Sequence, residues 1–500
     1  MNYQRNWLPA VINLCIVITF FIVAVSNIIG LFNLTYLAML AVTLLIIFLC
    51  YKYKENIFHS LQKYFNSPIS RWAVPIMVLS CAVPRIFLMY AIKVTPVSDS
   101  LFYHNMAASL AIGRAYAAHY VALFPHTIGY PLVLAQFYRL FGSDIMVSLW
   151  VNTLFTCISI GLFYLLARRY FNEQYAIVAG FIWALWPSHI ITAPLVITEP
   201  LFVMLMLLAL LVFTAVDYQK LVQFSPQQFG ILCGAGALFS LCNAVRPYGL
   251  VLLAAGAAFL IITLWQQRIL KTNRLLILSG FISFILLLFS YALVSRGIAM
   301  GIDIIIQTRI ARMPLGHSLN VGFNLNSLGR WNTKDSLLLA KVEQDMPVFD
   351  AQKIQDILRG YAFQRIYAQG IQNIPLFLIK TGIFWSPEAN YYSYLYDDNK
   401  QLYPGFIDIR PLFLILPFFT NLLVTIMAII GTRWIKSLTA IETSSSLLFL
   451  SIVVCCFTAC HLLVEVQHRY NYPASAILPI FIVFGLRAIM NNGEKMADEK

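Results

Sequence analysis

The sequence predicts an all-α polytopic membrane protein, and three observations carry that prediction. Hydrophobic residues fill 60% of the 500 positions and charged residues only 11%, against about 25% charged in a soluble globule. Mean hydropathy is +0.76. Apolar runs of ~17–25 residues, the length that crosses a bilayer as a helix, recur about twelve times.

The runs fall at 8–31, 33–51 and 72–92, then at 145–167, 175–191, 198–216, 228–245, 248–265 and 275–296, and last at 409–431, 444–463 and 473–490. Arg5 ahead of the first run suggests a signal peptide, but the second run follows at once from Asn33, so the segment reads as an uncleaved anchor. The segment 127–142 is apolar but short and contains Arg139, which suits a helix lying at the interface. Two polar excursions remain, 93–144 and 297–408. The chain then divides into 1–71 with two leading spans, a core at 72–296, the long polar segment 297–408 with an interfacial helix, and 409–500.

Basic residues set the orientation. Lys52, Lys54, Lys63, Arg71, Arg168, Arg169, Lys220, Arg268, Lys271, Arg274, Arg433 and Lys436 all fall in loops of one parity, provided 127–142 does not cross. Lys and Arg accumulate on the cytoplasmic side, so both termini are expected in the cytoplasm of a plasma-membrane protein, with both excursions outside. The net charge of +13 follows from this topology and from anionic headgroups, with no nucleic-acid motif in view. All nine cysteines lie in apolar segments, so no disulfide framework is expected; Cys455, Cys456, Cys460 and His461 read as helix packing, and no metal is assigned to them.

The polar residues at the outer span ends are the candidate site. Asp99 lies in the first turn of a helix that Ser98 is expected to cap, with Phe102, Tyr103, Met106 and Leu110 at helical spacing. The helix dipole keeps such a carboxylate ionised and able to take a proton, although stabilising its own helix is an equally good role from spacing alone. Tyr103 and His104 follow in the same helix, and Glu199, Arg246, Lys380, Glu465, Arg469 and Tyr470 fall on the same side of the membrane. Glu199 and Arg246 each adjoin a proline at a span end, where broken helix lets backbone face a cavity. Cations there would stabilise a departing lipid phosphate while a carboxylate activates the acceptor.

In order along the chain stand SDSLFYHNMA (98–107), HTIGYPLVLAQFYRLFG (126–142), ITEPLF (197–202), NAVRPYG (243–249), GFNLNSLGRWN (322–332), NIPLFLIKTGIFW (373–385) and EVQHRYNYP (465–473). With these stretches the chain resembles the GT-C membrane glycosyltransferases, in particular the protein mannosyltransferase and aminoarabinose transferase group. The resemblance implies a GT-C helical bundle of about twelve transmembrane helices with juxtamembrane helices in its external loops. It also implies a polyprenyl-phosphate-linked sugar donor, transfer with inversion, and an envelope glycan, lipid or protein as acceptor. A divalent metal is compatible with it but not required. By resemblance Asp99 is the acceptor-activating residue, and Glu199 the acid that aligns acceptor or sugar hydroxyls. Arg246 and Lys380 face the donor phosphate, and Arg469 is the basic residue of the closing external motif; Tyr103, His104, Glu465 and Tyr470 are the further substrate contacts. The mannosyltransferases proper carry an Asp–Glu pair in the first loop, whereas Ser100 follows Asp99 here, which leaves sugar and acceptor open. The segment 297–375 is expected to cover the cavity as a turn-rich lid, and the tyrosines of PEANYYSYLYDDNKQLYPG (387–405) to stack on sugars or to form an interface belt. The rival from another class is a transporter or flippase of lipid-linked saccharides, whose binding groups sit nearer the bilayer midplane.

Overall fold

A computed structural model describes residues 71–217, 225–269, 274–386, 401–402 and 441–490, with isolated positions between 17 and 63. The expected spans 8–31, 33–51 and 409–431, and most of the tyrosine-rich stretch 387–405, lie outside the described residues. The described elements in chain order are α1 (Ala73–Ala91), β1 (Ile92–Lys93), α2 (Ser98–Ala111), α3 (Ala118–Leu123), α4 (Gly129–Phe141), α5 (Ile145–Ala167), α6 (Glu173–Ala184), α7 (Pro187–Ile191) and α8 (Glu199–Phe213). They continue as α9 (Pro226–Val245), α10 (Gly249–Ile269), α11 (Arg274–Ile306), α12 (Gly316–Gly322), α13 (Thr333–Gln344), α14 (Ala351–Gln369), α15 (Asn373–Trp385), β2 (Gln401–Leu402), α16 (Ile441–Leu463), α17 (Tyr472–Ser475) and α18 (Leu478–Met490).

Among the described residues, four helical stretches, Ala73–Ala91, Ile145–Ala167, Pro226–Val245 and Leu278–Ile306, are long and apolar enough to cross a membrane. The chain is a membrane protein built mainly of helices. The expected count of about twelve spans can be followed only in part among the described residues, since three of the runs lie outside them and two more are interrupted. Pro187 opens a new helix after Ala184, so 175–191 becomes α6 and α7, and 473–490 is split into α17 and α18. In the other direction, α11 runs unbroken to Ile306, past the expected end at 296. The expected interfacial segment is α4, Gly129–Phe141. At 1.5 Å of rise per residue it is too short to cross a bilayer. Its Arg139 donates from Nε to the Ala111 carbonyl and from Nη2 to that of Leu110, both at 3.1 Å, the second shared with the Gly113 amide, which fastens α4 to the end of α2.

In the bundle α8 packs between α5 and α9, α9 also packs on α11, and α10 joins α11 to α16, while α1 rests on α5 and α6. β1 and β2 pair antiparallel, Ile92 opposite Leu402 and Lys93 opposite Gln401. The polar segment after α11 forms a second, smaller unit against the first loop. A cluster of Met106, Leu110, Val121, Ile306, Ile354 and Leu358 joins α2 and α3 to α11 and α14. Hydrogen bonds from the Ala311 amide to the Ala122 carbonyl (2.8 Å) and from Gln355 Nε2 to the Leu123 carbonyl (3.0 Å) fix the contact. Inside this unit buried Asp335 accepts from Asn320 (3.3 Å), Asn324 (2.7 Å), Asn332 (2.7 Å) and Arg365 (2.6 Å). That set of donors lets a carboxylate remain charged away from water. It also folds GFNLNSLGRWN into a tight turn, with Leu328 in the left-handed region at φ +54°.

Close packing between α4 and α9 depends on Gly129, where a Cβ would lie 2.1 Å from the Ala244 carbonyl oxygen. Gly129→Ala is expected to cost about 1–3 kcal/mol through forced backbone shift, read as a lower Tm in detergent micelles. Gly161→Ala, whose Cβ meets nothing within 4 Å, should leave Tm unchanged or slightly higher. Equal Tm for both variants would show that α4 does not seat tightly on α9.

Candidate active site

Asp99 is carried by the first turn of α2, after the extended segment that Pro96 imposes. Ser98 does not cap that helix through its side chain, contrary to expectation; it sits in the left-handed region at φ +48°, and the Val97 carbonyl accepts from Ser100 instead. The turn points the Asp99 carboxylate at the loop between α16 and α17, where Arg469 Nη2 donates to Oδ2 at 2.5 Å.

A second ion pair lies beside the first. Glu199 opens α8 and Arg246 follows the end of α9, each at a helix break next to proline. Arg246 Nη2 donates to Glu199 Oε1 at 2.6 Å and its Nε to Thr198 Oγ1 at 2.7 Å. Both side chains are nearly buried, 11% and 2% exposed. A desolvated pair of this kind holds its geometry but is not by itself a source of stability. The two arginines share Tyr470. The ring centroid of that tyrosine lies 5.9 Å from the Arg246 guanidinium carbon. It lies 5.8 Å from the guanidinium carbon of Arg469. Both cations are within the range at which an aromatic ring attracts them. The Tyr470 hydroxyl donates to Glu465 Oε1 at 3.1 Å, and Gln467 Nε2 donates to the same oxygen at 3.2 Å.

The acids of this recess are tuned apart. Burial opposes ionisation of Asp99, but the charge and hydrogen bond of Arg469, with help from Arg246 and His126, hold its carboxyl below the ordinary value of 3.8. The Asp99 side chain keeps 41% of its surface open. Glu465 moves the other way, raised above 4.5 because burial outweighs its two hydrogen bonds and the attraction of Arg469, and Asp99 adds repulsion. Burial and the nearby Arg246 push His126 down to about 4 against the pull of Asp99, leaving a neutral imidazole at pH 7. Neighbouring acids pushed in opposite directions are the electrostatic pattern of a proton-handling site. For a divalent metal the recess is a poor fit. Asp99 and Glu199 are each committed to an arginine, and no group of three or more metal-ligating side chains stands together among the described residues.

Asp99, Tyr103, Glu199, Arg246, Glu465, Arg469 and Tyr470 therefore converge, with buried Tyr103 close enough to Asp99, Arg246 and Glu199 to feel their charges. Two expected members stand elsewhere. His104 turns to the opposite side of α2, where its Nδ1 meets the Tyr138 hydroxyl at 2.7 Å, and that hydroxyl pairs with Ser148. Lys380 does not face a phosphate: fully buried, its Nζ donates to the carbonyls of Gly322, Leu462 and Val464, each at 2.8 Å, which uses all three ammonium donors. Lys380 instead caps α12 and α16 and fixes the start of the loop bearing Glu465, Arg469 and Tyr470. The same loop is held by Glu465 N to Ser318 O and Val466 N to Gly329 O, both 2.9 Å. This closeness needs Gly329, at φ +74°, where a Cβ would lie 2.9 Å from the Lys380 stem. Thr198 and His126 belong to the recess without having been expected; neither stands out in sequence, since only the packing of α4, α8 and α9 brings them near Asp99.

Residues 125–293 match the family described as dolichyl-phosphate-mannose-protein mannosyltransferase. Over that third of its length the chain is similar to this mannosyltransferase family. The matched segment contains Glu199 and Arg246 and stops short of both Asp99 and Arg469. Among solved structures, the apo oligosaccharyltransferase of Archaeoglobus fulgidus aligns at 13% identity and TM-score 0.48 over 84% of this chain and 50% of that one. The same organism's AglB with an inhibitory peptide and a dolichol-phosphate gives 13% identity and 0.45, over 84% and 50%. ArnT from Cupriavidus metallidurans bound to undecaprenyl phosphate gives 13% and 0.31, over 85% and 78%. The chain spans about half the length of the oligosaccharyltransferase chains it matches. Comparison with curated proteins returns no match.

Lys380→Met is expected to leave three buried carbonyls unpaired and to destabilise the chain by ~2 kcal/mol or more. The check is Tm in nanodiscs beside that of Arg246→Met. A Lys380→Met protein as stable as wild type would remove the clamp from this account.

Proposed function

We propose that the chain is a glycosyltransferase that moves a sugar, with inversion, from a polyprenyl-phosphate donor to an acceptor of the cell envelope on the extracytoplasmic side. The observation that carries this is the convergence of two acid–arginine pairs, Asp99–Arg469 and Glu199–Arg246, about one tyrosine at the ends of broken helices. The family description of residues 125–293, which names a lipid-phosphate-linked sugar, supports the donor class. The basic loops support cytoplasmic termini and a site on the opposite side of the plasma membrane.

Chemistry follows from competition for Arg469. An arriving donor phosphate is drawn to the two guanidinium groups, and as Arg469 turns to it, Asp99 loses its counter-charge and becomes a stronger base. The acceptor oxygen attacks the anomeric carbon from the face opposite the phosphate, and its proton passes to Asp99. The bond from that carbon to the phosphate oxygen breaks, and polyprenyl phosphate leaves as an anion stabilised by Arg246 and Arg469. Glu199 holds Arg246 in place, and Glu465 and Tyr470 orient sugar hydroxyls.

Asp99→Asn is expected to insert and fold but to lose transfer, measured as polyprenyl phosphate released from lipid-linked sugar extracted from cells lacking the chain. Full activity in that variant would reject the base assignment. Arg246→Met should lower the rate about a hundredfold or more. The pH dependence has a definite sign. Arg469 stabilises the Asp99 carboxylate, so its removal raises the Asp99 pKa, and residual kcat/KM in Arg469→Gln should fall at a higher pH on acidification than in wild type. An unmoved or lower acid limb would contradict the pairing.

A further inference from the structure

A hollow lies beside Tyr120, whose ring packs against the helix that carries Asp99. It has a volume of about 400 Å³ and lies between α3 and α13, lined by His119, Tyr120, Leu339 and Glu343 with alanines at its rim. The chain enters α3 through Ala117, held in the left-handed region at φ +48°, and this turn aims His119 and Tyr120 at α13. His119 Nδ1 meets Glu343 Oε1 at 3.1 Å across the opening, with 61% and 33% of the two side chains exposed. The His119 ring stacks on Phe349 at 3.8 Å between centroids and 11° between planes.

Tyr120 is the wall between hollow and recess. The residue is 42% exposed, and its ring packs 4.9 Å from Phe102, which is on the same helix as Asp99. Its phenol is raised by the crowding around it and by the charges of Asp99 and Glu465, with Arg469 opposing, so the two spaces are electrostatically in touch.

The lining says what fits. It holds a carboxylate, an imidazole, open aromatic surface and apolar floor, but no Lys or Arg, so it offers nothing to a phosphate. Sugar rings combine an apolar face, which stacks on aromatics, with hydroxyls that donate to a carboxylate. The volume is at the small end of ligand sites. We propose that this hollow is the acceptor subsite, and that it takes a neutral saccharide whose reacting hydroxyl is presented past Tyr120 to Asp99. The inference rests on the transferase reading above, and divides the site into a cationic side for the donor and an aromatic side, with a carboxylate but no Lys or Arg, for the acceptor.

The test uses full-length protein in lipid nanodiscs. The donor is lipid-linked sugar extracted from a strain lacking the chain, and the titrated acceptor is delipidated neutral polysaccharide from the same envelope. Leu339→Trp, which fills the hollow, is expected to raise the acceptor KM about tenfold or more, and Glu343→Gln to raise it several-fold. Undecaprenyl phosphate binding and Tm should match wild type in both, which separates a filled subsite from a misfolded one. Wild-type acceptor KM in both variants would overturn the proposal, as would transfer by the wild-type protein to tryptic peptides of envelope proteins in place of the polysaccharide. Failure of the transferase reading shows differently: the wild-type protein then neither transfers sugar nor binds undecaprenyl phosphate.

Discussion

Arg469 reaches Asp99 across 370 positions of chain, and that one ion pair defines the recess. It joins the first polar loop to the closing loop after α16. Asp99 is placed by the start of α2, itself fastened by Arg139 of α4 at its far end, and Arg469 by a short 3-10 turn over His468–Asn471. A charge left half-buried without its partner would be disfavoured, so each loop fixes the other.

The loop that carries Arg469 is held by the long polar segment. Lys380 gathers the carbonyls of Gly322, Leu462 and Val464, and the turn around Gly329 accepts from Val466. Burial lowers the proton affinity of the Lys380 amine, while three carbonyl acceptors favour the ammonium; the clamp works because every donor is used. GFNLNSLGRWN thus supports the closing loop. Its Asn324 and Asn332, locked on Asp335, shape the turn against which the closing loop is set.

Much of the helical plan was legible because apolar length is a strong signal: 72–92, 145–167 and 228–245 match α1, α5 and α9 within two residues. Ends were harder. Helix breaks at Pro187 and at 476–477, just ahead of Pro479, interrupt runs that hydropathy reads as continuous, and α11 runs on to Ile306, Gly297 to Ile306 carrying only one charged residue, Asp303. At the site, Asp99, Glu199, Arg246 and Arg469 could be picked out as ionisable groups at span ends, where charge is costly without a purpose. Lys380 passed the same filter for a different reason. A buried lysine that caps helix carbonyls and one that meets phosphate look alike in sequence; only the position of three carbonyls tells them apart. His126 and Thr198 fall inside HTIGYPLVLAQFYRLFG and ITEPLF, but nothing in residue type marks them as site members, because their relevance comes from packing between distant helices.

The account turns on rivalry between Asp99 and an incoming phosphate for Arg469. The most direct measurement is the affinity of wild-type protein and Asp99→Asn for undecaprenyl phosphate, in nanodiscs at neutral pH and fixed salt. Removing the competing carboxylate should tighten binding several-fold, corresponding to about 1 kcal/mol for a partly exposed pair. Unchanged or weaker binding in Asp99→Asn would mean that Arg469 does not exchange Asp99 for phosphate, and the proposed coupling of donor arrival to base activation would fall.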